Sequence, residues 1–136
     1  MKGDKERSAV IEYWMEKAQE SLNSARSEQL AGRFIFAINR AYYGCFYSAS
    51  AVLLKRGERF SKHSGVRAAL HRSLVKTGEL DKSWGKFYDL IFNSRQRGDY
   101  QELVNFSFEE TDELITQADG FIVEMANLLK ATSHNP

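Results

Sequence analysis

The chain's only proline is residue 136 of 136. Proline breaks a helix more firmly than any other residue, because its ring fixes φ and removes a backbone donor. Nothing else in the sequence interrupts long helices this strongly, and apolar side chains recur at helical spacing almost throughout. These two features predict an all-α fold, an up-and-down bundle of four to five helices without strands.

The first helix is expected from about Arg7 to Gln29, with Ile11, Trp14, Ala18, Leu22 and Ala25 on one stripe and Gly32 placed to end it in a left-handed cap. The second, from about Phe34 to Arg56, aligns Phe34, Ile38, Ala41, Tyr42, Cys45, Ala49, Val52 and Leu53. It also carries Tyr43, Phe46, Tyr47 and Leu54 off that face, so it is expected at the centre of the bundle; Gly57 closes it. A shorter third helix starts near Ser61 or Ser64, either of which can cap it, and carries Val66, Leu70 and Leu74 before Gly78. A fourth, Lys82 to Gln96, lines up Trp84, Phe87, Tyr88 and Ile91, and the next position on that apolar stripe is Arg95. The periodicity lapses between Arg97 and Phe106. Ser107 with Glu110 then makes a capping box for a last helix carrying Leu114, Ala118, Ile122, Met125 and Leu129. No repeat or linker divides the sequence, so one domain is expected over 1–136, with 1–6 and 133–136 flexible.

At this length a core can form without disulfides or a structural metal. The single cysteine, Cys45, has no internal partner, and no Cys/His spacing offers a metal site. No stretch is apolar enough to span a bilayer and the N-terminal residues lack the apolar core of a leader. The expectation is a cytoplasmic protein with neither metal nor cofactor. The formal net charge of +1 hides an asymmetry. Between Arg33 and Lys76 nine basic residues face one acid, Glu58, whereas from Glu102 onward seven acids face Lys130. Either the basic stretch forms a surface for phosphates, or the two stretches solvate and complement each other.

Within the second helix stands Arg40-Ala41-Tyr42-Tyr43-Gly44-Cys45-Phe46, followed by Lys62-His63-Ser64-Gly65-Val66, Gly78-Glu79-Leu80 and Arg95-Gln96-Arg97-Gly98-Asp99-Tyr100, with Ala118 and Phe121 in the last helix. In order and spacing this resembles the HEPN family, over most of the chain. The resemblance implies a helical bundle that dimerises and that stands beside a minimal nucleotidyltransferase in a two-component, often toxin and antitoxin, system. Many HEPN proteins are metal-independent ribonucleases marked by an arginine and, after four to six intervening residues, a histidine, a pairing in which arginine holds a phosphate and imidazole moves protons. Here the positions that follow Arg95 at that spacing hold Tyr100, Gln101 and Glu102, and those that follow Arg97 hold Glu102, Leu103 and Val104. The chain departs from the ribonuclease pattern.

What remains is Arg95, Arg97, Asp99 and Tyr100, which with Arg40 and Tyr43 could bind a nucleotide or RNA through a charged fork to phosphate and an aromatic face to a base. Alternatively Asp99 accepts from Arg40, locking two helices together. Tyr100 is also where the resemblance would place a modification by the nucleotidyltransferase. For cleavage, the candidates are Arg95 with Tyr100 or His63 as the proton-transfer group. The plainer role for His63 is a cap or a solvent-facing side chain, while His71 and His134 fall outside any motif. Tyr42, Tyr43, Phe46 and Tyr47 are either a stacking platform or, as aromatics at helical spacing more often are, core and dimer contacts. Three functions are thus open: a nucleotide- or RNA-associated partner module, a ribonuclease with a non-standard acid or base, and a purely structural bundle.

Overall fold

A computed structural model describes residues 2–133, so His134 and the tail beyond Ser133 lie outside it. Among the described residues the chain is all-helical: α1 (Lys2–Leu30), α2 (Phe34–Lys55), α3 (His63–Ala69), α4 (Lys82–Tyr100) and α5 (Phe108–Ser133), with α3 running on into a π-helical segment, Leu70–Val75. α1 and α2 form an antiparallel hairpin, and α2 touches α1, α3, α4 and α5. The central place expected for this helix follows from its composition: Ala37, Ile38, Ala41, Tyr42, Gly44, Cys45, Ser48, Ala49 and Ala51 to Leu54 are all buried. Gly44 is what allows the close crossing. A Cβ there would lie 3.1 Å from Ile122 Cδ1 and 3.3 Å from the carbonyl oxygen of Ala18, so α1 and α5 both approach its bare backbone.

The stripes read from the sequence become the core, with Ala18, Leu22 and Ala25 of α1, Phe87, Tyr88 and Ile91 of α4, and Leu114, Ala118, Ile122 and Met125 of α5 packed together. Gly32 takes φ +79 as the left-handed cap of α1 requires. The capping box forms in both directions: the backbone amide of Ser107 donates to Glu110 Oε1 at 3.1 Å, and that of Glu110 to Ser107 Oγ at 3.0 Å.

Three boundaries differ from those expected. α1 begins at Lys2 rather than near Arg7, extending through positions 3–6, which are exposed. Neither Ser61 nor Ser64 caps α3; Lys62 holds the N-cap position in extended backbone and makes no side-chain cap. α4 runs on past Gln96 to Tyr100. Its last turn has no apolar periodicity, and tertiary contacts sustain it: Gly98 packs against Ile35, and Asn39 Nδ2 donates to Asp99 Oδ2 at 2.9 Å.

The ion pairs of the basic stretch are local and do not draw on the acidic C-terminal stretch. Arg33 pairs with Glu28, Arg56 with Glu79, Arg67 with Asp89 and Arg72 with Glu58, while Arg59 lies over the Trp14 ring. Four of its nine cations are thus paired locally, by acids near in space. No helix of the described residues is long and apolar enough to cross a membrane.

Candidate functional site: a buried arginine beside a histidine

The apolar stripe of α4 delivers Arg95 into the bundle, where it is only 7% exposed. Its guanidinium lies over the ring of Tyr42, 4.6 Å from the centroid, and beside that of Tyr43, at 5.8 Å, so two aromatic rings of α2 face one cation. Nη2 approaches His63 Nδ1 at 3.3 Å, Nη1 lies 3.8 Å from Asp99 Oδ2, and Nε is buried with no hydrogen-bond partner. A guanidinium carries five N–H donors, and here few of them are spent.

His63, at the first position of α3, does not cap the helix or face solvent. Its ring is half-buried and stacks on Phe46 at 4.1 Å with 9° between the planes. Nδ1 is 2.8 Å from the hydroxyl of the fully buried Tyr42. Since Arg95 can only donate, Nδ1 faces it as an acceptor and the neutral ring carries its proton on Nε2. Burial strips water from the imidazolium and the Arg95 charge repels it, so His63 titrates below the ordinary histidine range. Burial likewise pushes the Tyr42 hydroxyl up to about 12, keeping it a donor. The hydroxyl of Tyr88 is buried beside that of Tyr42 without a well-formed hydrogen bond. Arg95 stays protonated: burial alone would lower it, and the hydroxyls of Tyr100, Tyr42 and Tyr43 and the Asp99 carboxylate more than offset that.

The structure therefore brings together Arg95, His63, Tyr43, Asp99 and Tyr100, a residue that is 74% exposed. It separates two other candidates from them. Arg97 turns toward Phe106, its guanidinium 5.4 Å from the ring centroid. Arg40 is exposed and does not reach Asp99; its Nη1 donates to Asn39 Oδ1 at 2.8 Å, and Asn39 is the residue that meets the carboxylate. The interhelix lock exists, one residue from where the sequence suggested it. Asn39 is the site residue that sequence reasoning missed. Tyr42 and Phe46, open in the sequence as a stacking platform or as core and dimer contacts, carried no signal that a histidine from another helix would dock on them. Among the described residues no group of three or more His, Cys, Asp or Glu could hold a metal ion.

Comparison with known proteins agrees with this architecture. A UPF0332 protein of Thermotoga maritima is 45% identical over 92% of this chain and 95% of its own length. The protein named "Putative toxin MJ0142" of Methanocaldococcus jannaschii is 30% identical over 92% of this chain and 89% of its own, and "Putative toxin MJ0605" of the same organism is 29% identical over 88% and 89%. The crystal structure of TT1696 from Thermus thermophilus shares the fold, with a TM-score of 0.74 at 15% identity, over 87% of this chain and 97% of that one. The family model for the HEPN domain matches residues 11–128, a span that holds the Arg95–His63 pair and core positions from all five helices, and the chain belongs to the HEPN domain family.

Proposed function

We propose that this HEPN domain binds a phosphate-bearing ligand, a nucleotide or a segment of RNA, at the Arg95–His63 cluster, and works in the cytoplasm as the partner of a minimal nucleotidyltransferase in a toxin–antitoxin-like pair. The observation that carries the binding reading is the state of Arg95, a cation shielded from water with donors left over. A phosphate oxygen meeting such a guanidinium makes a charge-assisted hydrogen bond that solvent screens little. Tyr43 and the exposed Tyr100 stand beside it as faces for a base. The relatives named as toxins support the pairing, and the exposed Tyr100 ring leaves its hydroxyl open to modification by the partner. A homodimer is expected, checked by light scattering at micromolar concentration, where a monomer alone would refute it.

One observation favours ribonuclease activity as a second reading: His63 reaches the arginine from another helix, restoring the arginine–histidine pairing that the spacing along α4 lacks. Attack of a 2′-hydroxyl on the adjacent phosphorus requires a base for that proton and an acid for the departing 5′-oxygen. In this arrangement the free lone pair of neutral His63 is already engaged by Tyr42 and Arg95, so the ring holds a donor where the first step needs an acceptor. Binding is the better account. The test is EDTA-treated protein incubated with a short labelled RNA, native beside Arg95→Ala and His63→Ala. Retained, uncleaved RNA whose binding is lost in Arg95→Ala is expected; cleavage abolished by either substitution would replace the binding reading with the ribonuclease.

A further inference from the structure

Between α1 and α2 lies an open groove of about 720 Å³, lined by Lys17, Ser21, Ser24, Arg40, Tyr43 and Tyr47 together with Glu20 and Asn39. Its size falls within the range of about 300–1,000 Å³ typical of ligand sites. Two of its lining residues also belong to the Arg95 cluster. Tyr43 presents its ring to Arg95 and stands edge-on to the His63 ring with centroids 5.6 Å apart, and Asn39 is bonded to the Asp99 carboxylate that faces Arg95. One wall, made of Tyr43 and Asn39, therefore separates the buried cation from the open groove. The groove's one acid, Glu20, stands among two cations, Lys17 and Arg40. Tyr43 and Tyr47 lie 6.0 Å apart with their rings tilted by 41°, offering two successive aromatic faces.

We propose that this groove is a second subsite, which takes the continuation of a single-stranded oligonucleotide whose first phosphate is held at Arg95. The inference rests on the phosphate-binding reading of that cluster and names the ligand more closely: a strand rather than a mononucleotide. The chemistry required is a backbone of negative charge spaced along a groove with bases free to stack, which Lys17 and Arg40 match as phosphate contacts and Tyr43 and Tyr47 as stacking faces. Ser21 and Ser24 add hydroxyl donors on the α1 side. A mononucleotide spans only the Arg95 end, so affinity should grow with strand length until the groove is filled.

The test compares uridine monophosphate, by calorimetry, with fluorescein-labelled five-residue oligouridylate and oligothymidylate, by anisotropy, on the native chain, on Lys17→Ala/Arg40→Ala and on Arg95→Ala. The paired α1–α2 variant changes only side chains at the groove surface, and its thermal melt verifies folding. Expected is about tenfold weaker binding of the pentanucleotides by the paired variant, with the slope of log affinity against log salt reduced by about 1.4 for two lost phosphate contacts and the monophosphate unchanged. Loss for both pentanucleotides means the groove reads the strand; loss for oligouridylate alone means it also reads the 2′-hydroxyl, and either supports the proposal. Pentanucleotide binding equal in the paired variant and the native chain, or displaced equally well by an oligoglutamate of the same charge, would overturn it while leaving the Arg95 site standing. If the native chain binds neither the monophosphate nor a pentanucleotide, or Arg95→Ala binds both as the native chain does, the phosphate reading of the cluster fails and takes the groove with it.

Discussion

At the residue scale, the site depends on His63, whose Nδ1 is the hydrogen-bond partner of a hydroxyl that has no access to water. Replacing it with alanine orphans Tyr42 and removes the stack on Phe46, and a loss of about 1–3 kcal/mol in urea denaturation is expected for the stranded hydroxyl alone. His63 also makes stability depend on pH. Its value is lower in the folded protein than in the unfolded chain, so the unfolded state binds the extra proton first; its contribution is complete above about 6.5 and is lost as pH falls toward the folded value. His63→Gln, which keeps an acceptor and cannot titrate, should flatten that slope in melts from about pH 8 to about pH 5; an unaltered slope would show that His63 is not its source. Asn39 and Arg40 make a second contrast. Asn39→Ala should cost about 1 kcal/mol by breaking the bond to Asp99, while the exposed Arg40→Ala should stay within about 0.5 kcal/mol; the reverse order would restore Arg40 as the lock. The sequence made Arg95 conspicuous because a charge stood on an apolar stripe. It hid His63 because the partners are 32 residues apart, and it misplaced the lock because one step along a helix turns a side chain by about 100°, which pattern alone does not resolve at a helix edge.

At the element scale, helices were legible where burial repeats. The stripes of α1, α2, α4 and α5 follow from spacing, and the α5 start follows from Ser107 and Glu110. What escaped was structure sustained by neighbours: the last turn of α4, held by Ile35 and Asn39, and the π-helical stretch that follows α3, where His71 Nε2 and Arg67 Nε both meet Asp89 Oδ1, at 2.9 and 2.8 Å. The turn between α4 and α5 carries a local cost. Leu103 has φ +61 and a fully exposed side chain, so it occupies the left-handed region without any packing in return. Leu103→Gly should therefore raise stability by about 1 kcal/mol, read as a higher urea midpoint with the m-value unchanged. A lower midpoint would mean that the leucine makes a contact in solution.

At the scale of the whole molecule, the fold gathers its polar chemistry on one side of α2. The α1 groove, the Tyr43–Asn39 wall and the Arg95–His63 cluster succeed one another around that helix, most of whose remaining surface is core. This grouping could not be read from charge totals, since four of the nine cations in the stretch visible in the sequence are held in local pairs such as Arg72 with Glu58 and Arg67 with Asp89. Of the cations this side of α2 offers a ligand, Lys17 of α1 and Arg95 of α4 both lie outside that stretch, and only Arg40 comes from within it.

The position of His63 at the uncapped start of α3 ties two properties that are usually separate. The first turn of α3 has no side-chain cap of its own and is fastened through the imidazole to α2 and α4, so fraying of that turn and loss of the Arg95 neighbour are one event. Amide hydrogen exchange of Val66 to Ala69 should consequently speed up in His63→Ala and slow down when a nucleotide occupies Arg95. Exchange in this short stretch would then serve as an intrinsic gauge of site occupancy, needing no label and no assay of turnover.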